Sequence, residues 1–359
     1  MKRRTAPPPR VPLAISMGDP AGIGPEVALK AIATRAVAAR VEPLLVGDSG
    51  VWHDTAERLG ARVAFANGSQ RTQPGRVAIA NTSQLSARDR QPGKPRSARG
   101  AAACGEAAYA AILEAVSLVQ AGRVHGLVTA PISKAHVVAA GHNFAGHTEL
   151  LAELCGGVPV RMMMAGPRLR VILVTTHLAL ADVPQRLTRD GVRQTIELTA
   201  HALRRQFGIR SPRIAVCGLN PHAGEQGLFG KEEGRIITPA VRAARRDDIK
   251  VVGPLAADSV FAQAVEGSYD AVVCMYHDQG LAPFKLLHFA DGVNFTLGLP
   301  FVRTSPDHGT AFDIAGTGRA DPRSMVAALL LAAQTARAGL ARTGLASAGL
   351  VKHTSDTVG

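Results

Sequence analysis

The chain has 359 residues, enough for two domains or for one large α/β unit with a sizeable core. Its formal net charge of +13 favours an anionic partner, but the basic residues are scattered and aromatic residues make up only 4%. Nucleic-acid binding needs a basic stripe and aromatic rings on which bases stack, so we expect no nucleic-acid partner and keep a basic nucleic-acid-binding protein only as an alternative. An anionic small-molecule substrate accounts for the charge better.

The four cysteines predict reduced thiols and a cytoplasmic protein. None belongs to a Cys-x-x-Cys pair, and Cys217 and Cys274 lie inside apolar, strand-like runs. Residues 1–10 are basic and proline-rich and lack the apolar core of a signal peptide, so a disordered tail is predicted there. The longest apolar helical patch, residues 325–333, is too short to span a bilayer, and we expect no membrane partner.

Along the chain, strand-like and helical segments alternate, which is typical of an α/β fold with a largely parallel sheet. Residues 11–16 predict the first strand, and the turn Met17–Glu26 leads into a helix. An alanine-rich helix is predicted at residues 101–120 and a further strand at residues 124–129. The glycine spacing in Met17–Glu26 is not a dinucleotide-binding fingerprint, and Lys231 does not complete a Walker A loop.

Three later apolar runs each lead into a histidine, namely His177, His222 and His277. The carboxyl ends of parallel strands line the crevice where ligands bind, so the three imidazoles can converge. Three neutral imidazoles hold a cation such as Zn²⁺ and leave a coordination position open for substrate. One such histidine would more often be an ordinary polar residue, but three in the same topological position favour a metal site.

Five motifs resemble those of the 4-hydroxythreonine-4-phosphate dehydrogenase family of vitamin B6 biosynthesis. They follow the family's order and cover residues 12–336. The motifs are Gly18-Asp-Pro-Ala-Gly-Ile-Gly-Pro-Glu26, Gly146-His-Thr-Glu149, Leu219-Asn-Pro-His-Ala-Gly-Glu225, Met275-Tyr-His-Asp-Gln-Gly280 and Thr304-Ser-Pro-Asp-His-Gly-Thr310. Two stretches, the Gly-Ile-Gly-Pro-Glu turn and residues 308–316, are also similar to the wider isocitrate and isopropylmalate dehydrogenase group, which holds its metal with aspartates.

This resemblance implies an isocitrate/isopropylmalate dehydrogenase-like α/β/α sandwich of two domains with the active site between them. Residues 11–137 plus 300–350 would form the first, discontinuous domain on the cofactor side. Residues 138–299 would form the central domain, on the metal and dimer side. The resemblance also implies a homodimer whose metal sites are shared between the subunits.

The resemblance assigns roles to eight positions, all of which hold the family's residue types here. It implies that His177, His222 and His277 bind one divalent metal ion, either Zn, Mg or Co. The substrate-binding residues that it implies are His147, Thr148, Lys285, Asn294 and Arg303.

The activity that the resemblance implies is NAD-dependent oxidation of 4-phosphooxy-L-threonine at its C3 hydroxyl, followed by decarboxylation to 3-amino-2-oxopropyl phosphate. A metal on the hydroxyl would lower its pKa, and the metal-bound carbonyl of the oxidised product would accept the electrons released when CO₂ leaves. Lys285 and Arg303 offer cationic donors to phosphate or carboxylate. The nearest alternative is a paralogue that oxidises a threonate or erythronate 4-phosphate. A hydrolase that uses zinc-bound water is a further alternative.

The sequence also offers candidates for catalysis and for cofactor binding. Asp258 and Asp278 are candidates for the general base or for partners that orient imidazoles, and Lys285 is a third catalytic candidate. His308, Gly309 and Asp313 are predicted to bind the cofactor. A carboxylate beside the adenosine ribose repels a 2′-phosphate, so Asp313 predicts NAD over NADP, although NADP stays an alternative.

Overall fold

A computed structural model of the chain describes residues 9–68, 75–95, 97–144 and 146–342. The strands are β1 Val11–Ser16, β2 Val41–Gly47, β3 Ala64–Asn67, β4 Arg76–Asn81, β5 Gly126–Thr129, β6 Arg161–Ala165, β7 Arg170–Leu173, β8 Ile214–Cys217, β9 Val251–Leu255, β10 Ala271–Cys274, β11 Val293–Leu297 and β12 Val302–Pro306. The helices are α1 Gly24–Ile32, α2 Arg35–Ala38, α3 Ser49–Arg58, α4 Ala98–Gln120, α5 Lys134–Ala139, α6 His147–Leu154, α7 Val183–Arg186, α8 Arg189–Arg205, α9 Thr238–Arg246, α10 Ala257–Val265, α11 His277–His288 and α12 Arg323–Arg342.

These twelve strands form one sheet in the order β3-β4-β2-β1-β5-β12-β11-β6-β7-β10-β8-β9. Most neighbours are parallel, which confirms the predicted α/β fold with a largely parallel sheet. The pairs β12–β11, β11–β6 and β6–β7 are antiparallel. Three successive reversals make the strands from β7 to β9 run opposite to those from β3 to β12. The carboxyl ends of the two parallel sets therefore point in opposite directions.

The predicted domain boundary coincides with the first reversal. Residues 11–137 and 300–350 contain β1 to β5 and β12, and residues 138–299 contain β6 to β11. The division into two domains stays a prediction, because all these strands belong to one sheet. Residues 1–8, which hold most of the predicted tail, and residues 343–350 lie outside the described residues.

In the strands β7, β8 and β10, alternate side chains are buried on opposite faces. Leu173, Cys217 and Cys274 belong to an apolar cluster with residues of α10 and α11. Their neighbours Ile172 and Val216 belong to the main core, which includes residues of α8 and α9. Both faces of a parallel sheet are covered in this way, so its strands are apolar on both sides. The cysteines Cys104, Cys155, Cys217 and Cys274 are all free thiols, as predicted.

Among the described helices, α4 alone is long and apolar enough to cross a membrane by length and composition. The prediction that residues 325–333, on α12, are the longest apolar helical patch is therefore wrong. Half of its most apolar stretch is buried inside the protein, where α4 packs on β1, β2 and β5. A buried core helix has the same composition as a membrane span, so the composition of α4 does not indicate a membrane.

Candidate active site in the central cleft

A cleft of about 580 Å³ crosses the face of the sheet at its antiparallel centre. One end is formed by Thr129 and Ser305, at the carboxyl ends of β5 and β12. The other end is formed by His177 and His277, which follow β7 and β10. The cleft therefore joins the carboxyl ends of two oppositely directed strand sets. Ligands bind at such ends in open α/β sheets, so two ligand-binding edges meet in one cavity.

Most of the predicted site residues line this cleft. Those that do are His147, Thr148, His177, His277, Lys285, Asn294, Arg303, His308 and Gly309. The predicted residues that do not line it are His222, Asp258, Asp278 and Asp313. Residues of the cleft that the sequence reasoning missed include Lys134, Glu149, Arg161 and Asp307.

Arg303, on β12, is a buried guanidinium that is only 2% exposed. Its Nη2 donates to the Thr129 hydroxyl at 2.7 Å, and its Nη1 donates to the Thr296 hydroxyl at 3.0 Å. No carboxylate of the described chain forms an ion pair with it. Burial lowers the pKa of Arg303 to about 10, and the charge of Glu149 opposes this shift. A buried cation with only hydroxyl partners is a ready binding site for phosphate or carboxylate.

Three more cleft side chains carry a buried polar atom that has no hydrogen-bond partner within the described residues. These atoms are His147 Nε2, Asn294 Oδ1 and His308 Nε2. Buried polar atoms are nearly always paired in folded proteins, so three orphans in one cavity indicate a missing polar ligand. The pKa of His147 lies well below its ordinary value, first because of burial and then because of the Arg303 charge. His147 is therefore a neutral imidazole near pH 7.

His177 and His277 form a close pair with ring centres 5.6 Å apart. Two imidazoles that bind one tetrahedral ion through 2 Å bonds have ring centres about 5 Å apart, so this pair fits two ligands of one cation. The pKa of His177 is lowered by burial, then by the His277 and Lys134 charges, and Glu149 opposes them. A neutral imidazole is the form that ligates a metal.

The third predicted ligand, His222, is exposed and lies outside the cleft. Across the described ranges, no group of three or more His, Cys, Asp or Glu side chains is placed to hold a metal ion. Within the described residues the three imidazoles are therefore not grouped at one site. That all three bind one ion stays a prediction, and it needs a second chain to complete the ligand set.

The turn that carries His222 is left-handed. Residues His222 to Gln226 all have positive φ, and Gly224 is the one glycine among them. A left-handed conformation costs about 1–2 kcal/mol for each non-glycine residue. Backbone strain of this kind persists only where the surrounding structure holds it.

Two polar side chains tie together the ends of the histidine-bearing strands. Thr175 donates its hydroxyl to the Met275 carbonyl at 2.7 Å, which joins the end of β7 to the end of β10. Gln279 accepts from the Met275 N–H and donates to the Gly218 carbonyl, both at 2.7 Å, which joins β10 to β8. The sequence reasoning assigned no role to either residue, although Gln279 lies inside the quoted motif Met275–Gly280.

Helix α11 presents one face to the cleft. His277, Leu281 and Lys285 are four residues apart, and this spacing places all three on the same side of the helix. Lys285 Nζ lies 3.1 Å from Asp307 Oδ2. Asp307 belongs to the motif Thr304–Thr310 but was not predicted as a site residue. An anion can therefore bind the Lys285 ammonium group only if it displaces the Asp307 carboxylate.

The two candidate bases, Asp258 and Asp278, are exposed and do not line the cleft. Asp278 Oδ1 lies 2.6 Å from His277 Nδ1, which suits an orienting partner of that imidazole better than a base inside the cleft. Asp258 lies in the first turn of α10. The general-base roles of both residues stay predictions.

On the predicted cofactor side, the glycine turn after β1 packs against the loop that follows β12. The Ile23 N–H donates to the Thr310 carbonyl at 2.9 Å. A Cβ on Gly22 would lie 3.0–3.1 Å from Thr310, so a larger residue would push this loop away. His308 and Gly309 of this loop reach the cleft, whereas Asp313 is exposed outside it.

Fold and cleft together define an α/β protein that places a buried, carboxylate-free guanidinium beside a pair of imidazoles. This combination is typical of an enzyme that binds an anionic substrate next to a cation. A family profile described as "Pyridoxal phosphate biosynthetic protein PdxA" matches residues 39–332. The chain belongs to this family.

Named relatives agree with that assignment. The 4-hydroxythreonine-4-phosphate dehydrogenase of Geobacter metallireducens is 51% identical over 90% of this chain and 95% of its own. The D-threonate 4-phosphate dehydrogenase of Pectobacterium atrosepticum is 44% identical over 90% and 99%. The crystal structure of the 4-hydroxythreonine-4-phosphate dehydrogenase from Klebsiella pneumoniae is 41% identical, with a TM-score of 0.82 over 92% of this chain and 99% of that one.

We predict that Arg303 provides most of the anion affinity of the cleft. Inorganic phosphate should raise the thermal midpoint of the wild-type protein and should not raise that of Arg303→Met, because the buried cation is then absent. Arg168→Met, which removes an exposed arginine outside the cleft, should respond as the wild type does. An equal phosphate response of Arg303→Met, measured by differential scanning fluorimetry, would refute this role.

The depressed pKa of His147 predicts a specific loss of stability in acid. Because the folded-state pKa lies below the unfolded value, the unfolded chain binds a proton first, and stability falls as the pH drops below about 6.5. This histidine alone contributes a slope of up to about 1.4 kcal/mol per pH unit. Urea unfolding at pH 7.5 and pH 5.5 measures it. The difference between the two pH values should be smaller for His147→Asn than for the wild type.

Proposed function

We propose that this chain is an NAD-dependent oxidoreductase that acts on 4-phosphooxy-L-threonine. It oxidises the C3 hydroxyl and the product loses CO₂ to give 3-amino-2-oxopropyl phosphate, a step of pyridoxal phosphate biosynthesis. The observation that carries the proposal is the buried Arg303 without a carboxylate partner, in the same cleft as the His177–His277 pair. Groups suited to an anion and groups suited to a cation therefore line one cleft.

The phosphate and the carboxylate of the substrate bind the cationic side chains of the cleft and the side chains whose buried polar atoms have no hydrogen-bond partner within the described residues. Arg303 offers a rigid guanidinium, and His147 offers an N–H or a lone pair that has no other partner. His147 and Thr148 lie in the first turn of α6, whose start has no side-chain cap. The free N–H groups of such a turn suit a phosphate. Asn294, on β11, adds an amide that orients the substrate.

One divalent cation and one NAD are the cofactors of the proposal, with Zn, Mg or Co as the cation. When bound, the cation lowers the pKa of the substrate hydroxyl and NAD takes the hydride. His177 and His277 of one subunit would hold the cation, and His222 of a second subunit would complete the ligand set. Asp278, next to His277 Nδ1, fixes the orientation of that imidazole.

Lys285 is the candidate of this chain that can hold or move a proton inside the cleft. Its ammonium group lies 3.1 Å from Asp307, so the pair is neutral as a whole before substrate enters. An incoming anion competes with Asp307 for the same N–H donors. We assign Lys285 to substrate binding and keep it, with Asp258 and Asp278, as a candidate for acid–base catalysis.

Exposed apolar side chains support a homodimer with shared metal sites. Each predicted metal ligand is followed by such residues: Leu178 and Leu180 after His177, Leu228 and Phe229 after His222, and Leu286 and Phe289 after His277. Leu286 and Phe289 are 87% and 81% exposed. Apolar residues exposed beside one functional region are typical of an interface. A second copy of the chain covers them and brings its own His222 to the cation.

A second candidate substrate is D-threonate 4-phosphate. It is favoured by the 44% identical relative of Pectobacterium atrosepticum, whose name gives that activity. Both substrates carry the same phosphate and hydroxyl, so the groups described above serve either one.

The remaining expectations complete the proposal. Asp313 lies on the loop that packs against the glycine turn, which supports a preference for NAD over NADP. The four free cysteines support a cytoplasmic location. The hydrolase alternative would use the same His177–His277 pair, and turnover without NAD distinguishes it from the proposed dehydrogenase.

Activity with a panel of substrates tests the function directly. NADH should form from 4-phosphooxy-L-threonine faster than from D-threonate 4-phosphate or D-erythronate 4-phosphate, and a chelator should abolish it. His277→Ala should lower kcat/KM by at least about 100-fold, because a lost metal ligand also misplaces the substrate hydroxyl. Arg168→Met is the matched surface control. NADH formation that resists both chelation and His277→Ala would contradict the metal role, and faster turnover of D-threonate 4-phosphate would favour the second candidate.

The dimer prediction has its own test. The double variant Leu286→Asp/Phe289→Asp places two carboxylates on the proposed interface and should give a monomer with weakened zinc binding. Val138→Asp, at a 55% exposed apolar position on α5, should remain dimeric. Light scattering coupled to size-exclusion chromatography gives the mass. A double variant that stays dimeric with unchanged zinc affinity would exclude this interface.

A further inference from the structure

A single buried carboxylate holds the left-handed turn on which His222 lies. Glu233 is 5% exposed and begins a short π-helix, Glu233–Ile237. Its Oε1 accepts the backbone N–H groups of Leu219 and Asn220 at 2.8 and 2.7 Å. Its Oε2 accepts the side-chain amide of Asn220 at 3.1 Å. Three hydrogen bonds therefore connect this carboxylate to the two residues that lead into the turn.

The turn is also packed directly onto this carboxylate. A Cβ on Gly224, at the middle of the turn, would lie 2.6 Å from Glu233 Oε2. A Cβ on Gly218, at the start of the loop, would lie 3.2 Å from Oε1. The chain thus wraps around the side chain on both sides, so the position of the carboxylate determines the position of the turn.

Charge does not explain why an acidic residue is buried here. In the described ranges no lysine, arginine or histidine forms an ion pair with Glu233. Its charge is compensated by N–H donors alone, and a buried carboxylate with such partners is an efficient acceptor for several N–H groups at once. A glutamine would offer one acceptor oxygen and would turn its own amide toward the Asn220 donor.

We propose that Glu233 is a positioning residue for His222. It does not touch the cation or the substrate. It fixes the strained turn before binding, so that the exposed imidazole of His222 is already directed when it meets the cation of a second subunit. The inference rests on the proposed role of His222 as a metal ligand. Residues that orient a metal-binding side chain without touching the metal are typically important for metal binding as well.

Zinc affinity is the measurement that tests this role. Glu233→Gln should weaken zinc binding by about 10–100-fold in competition with a chromophoric chelator. The zinc-loaded enzyme should lose kcat while its KM for the phosphorylated substrate changes little. Glu225→Gln is the matched control, because Glu225 lies in the same turn but is exposed. It should bind zinc as the wild type does. Unchanged zinc affinity of Glu233→Gln would overturn the proposal.

A double-mutant cycle separates positioning from general stabilisation. If Glu233 acts through His222, Glu233→Gln should weaken zinc binding no further in a His222→Ala background. An equal loss in both backgrounds would overturn the proposal, since Glu233 would then act elsewhere. If His222→Ala alone leaves zinc affinity unchanged, the metal role of His222 fails and this inference fails with it.

A milder variant covers the case in which Glu233→Gln does not fold. Asn220→Ala removes the side-chain bonds to Glu233 Oε2 and to the neighbouring Glu232, and keeps both backbone bonds to Oε1. It should weaken zinc binding by a smaller factor, about 3–10-fold, and this loss should also vanish in the His222→Ala background. Wild-type zinc affinity in a folded Asn220→Ala protein would count against the proposal.

Discussion

The reversal of strand direction at the centre of the sheet is the constraint on which the rest of the structure depends. Because the pairs β12–β11, β11–β6 and β6–β7 are antiparallel, the two parallel sets of strands run in opposite directions. Thr129 and Ser305 at the carboxyl ends of one set, and His177 and His277 after the carboxyl ends of the other, line one cleft at this antiparallel centre. Arg303, on the central strand β12, lines the same cleft.

Within that cleft, the charges and pKa values of the side chains distinguish groups that suit an anion from groups that suit a cation. The β12 end buries a cation whose pKa is depressed and whose partners are two threonine hydroxyls. The β7 and β10 end holds two imidazoles, one with a pKa lowered by burial and by its neighbour. A phosphorylated hydroxy acid has both an anionic group and a reacting hydroxyl, and the cleft is lined by groups suited to each. The family assignment and this geometry agree.

The sequence predicted the strands and helices whose formation depends on residues close together in the chain. The first strand begins and ends as expected, and the alanine-rich helix and the β5 strand appear with small shifts. Of the site residues on α11, His277 was predicted from the apolar run that precedes it, and Lys285 was implied by the family resemblance. The role of Gln279 was not accessible, since its partner Gly218 is 61 residues away in the chain. The missed Asp307 pairs with Lys285, which lies on a different element 22 residues earlier in the chain.

The sequence by itself determined the α/β class, the family and nine of the residues that line the cleft, because motifs and hydrophobic periodicity are local. Only the tertiary structure decided three features: the antiparallel centre, the absence of an ion pair between Arg303 and any carboxylate of the described residues, and the position of His222 outside the cleft that holds the other two histidines. Strand direction and burial depend on pairings between distant segments, and no local pattern records them. The left-handed turn at His222 is the clearest case, because one buried carboxylate, eleven residues later in the chain, holds it.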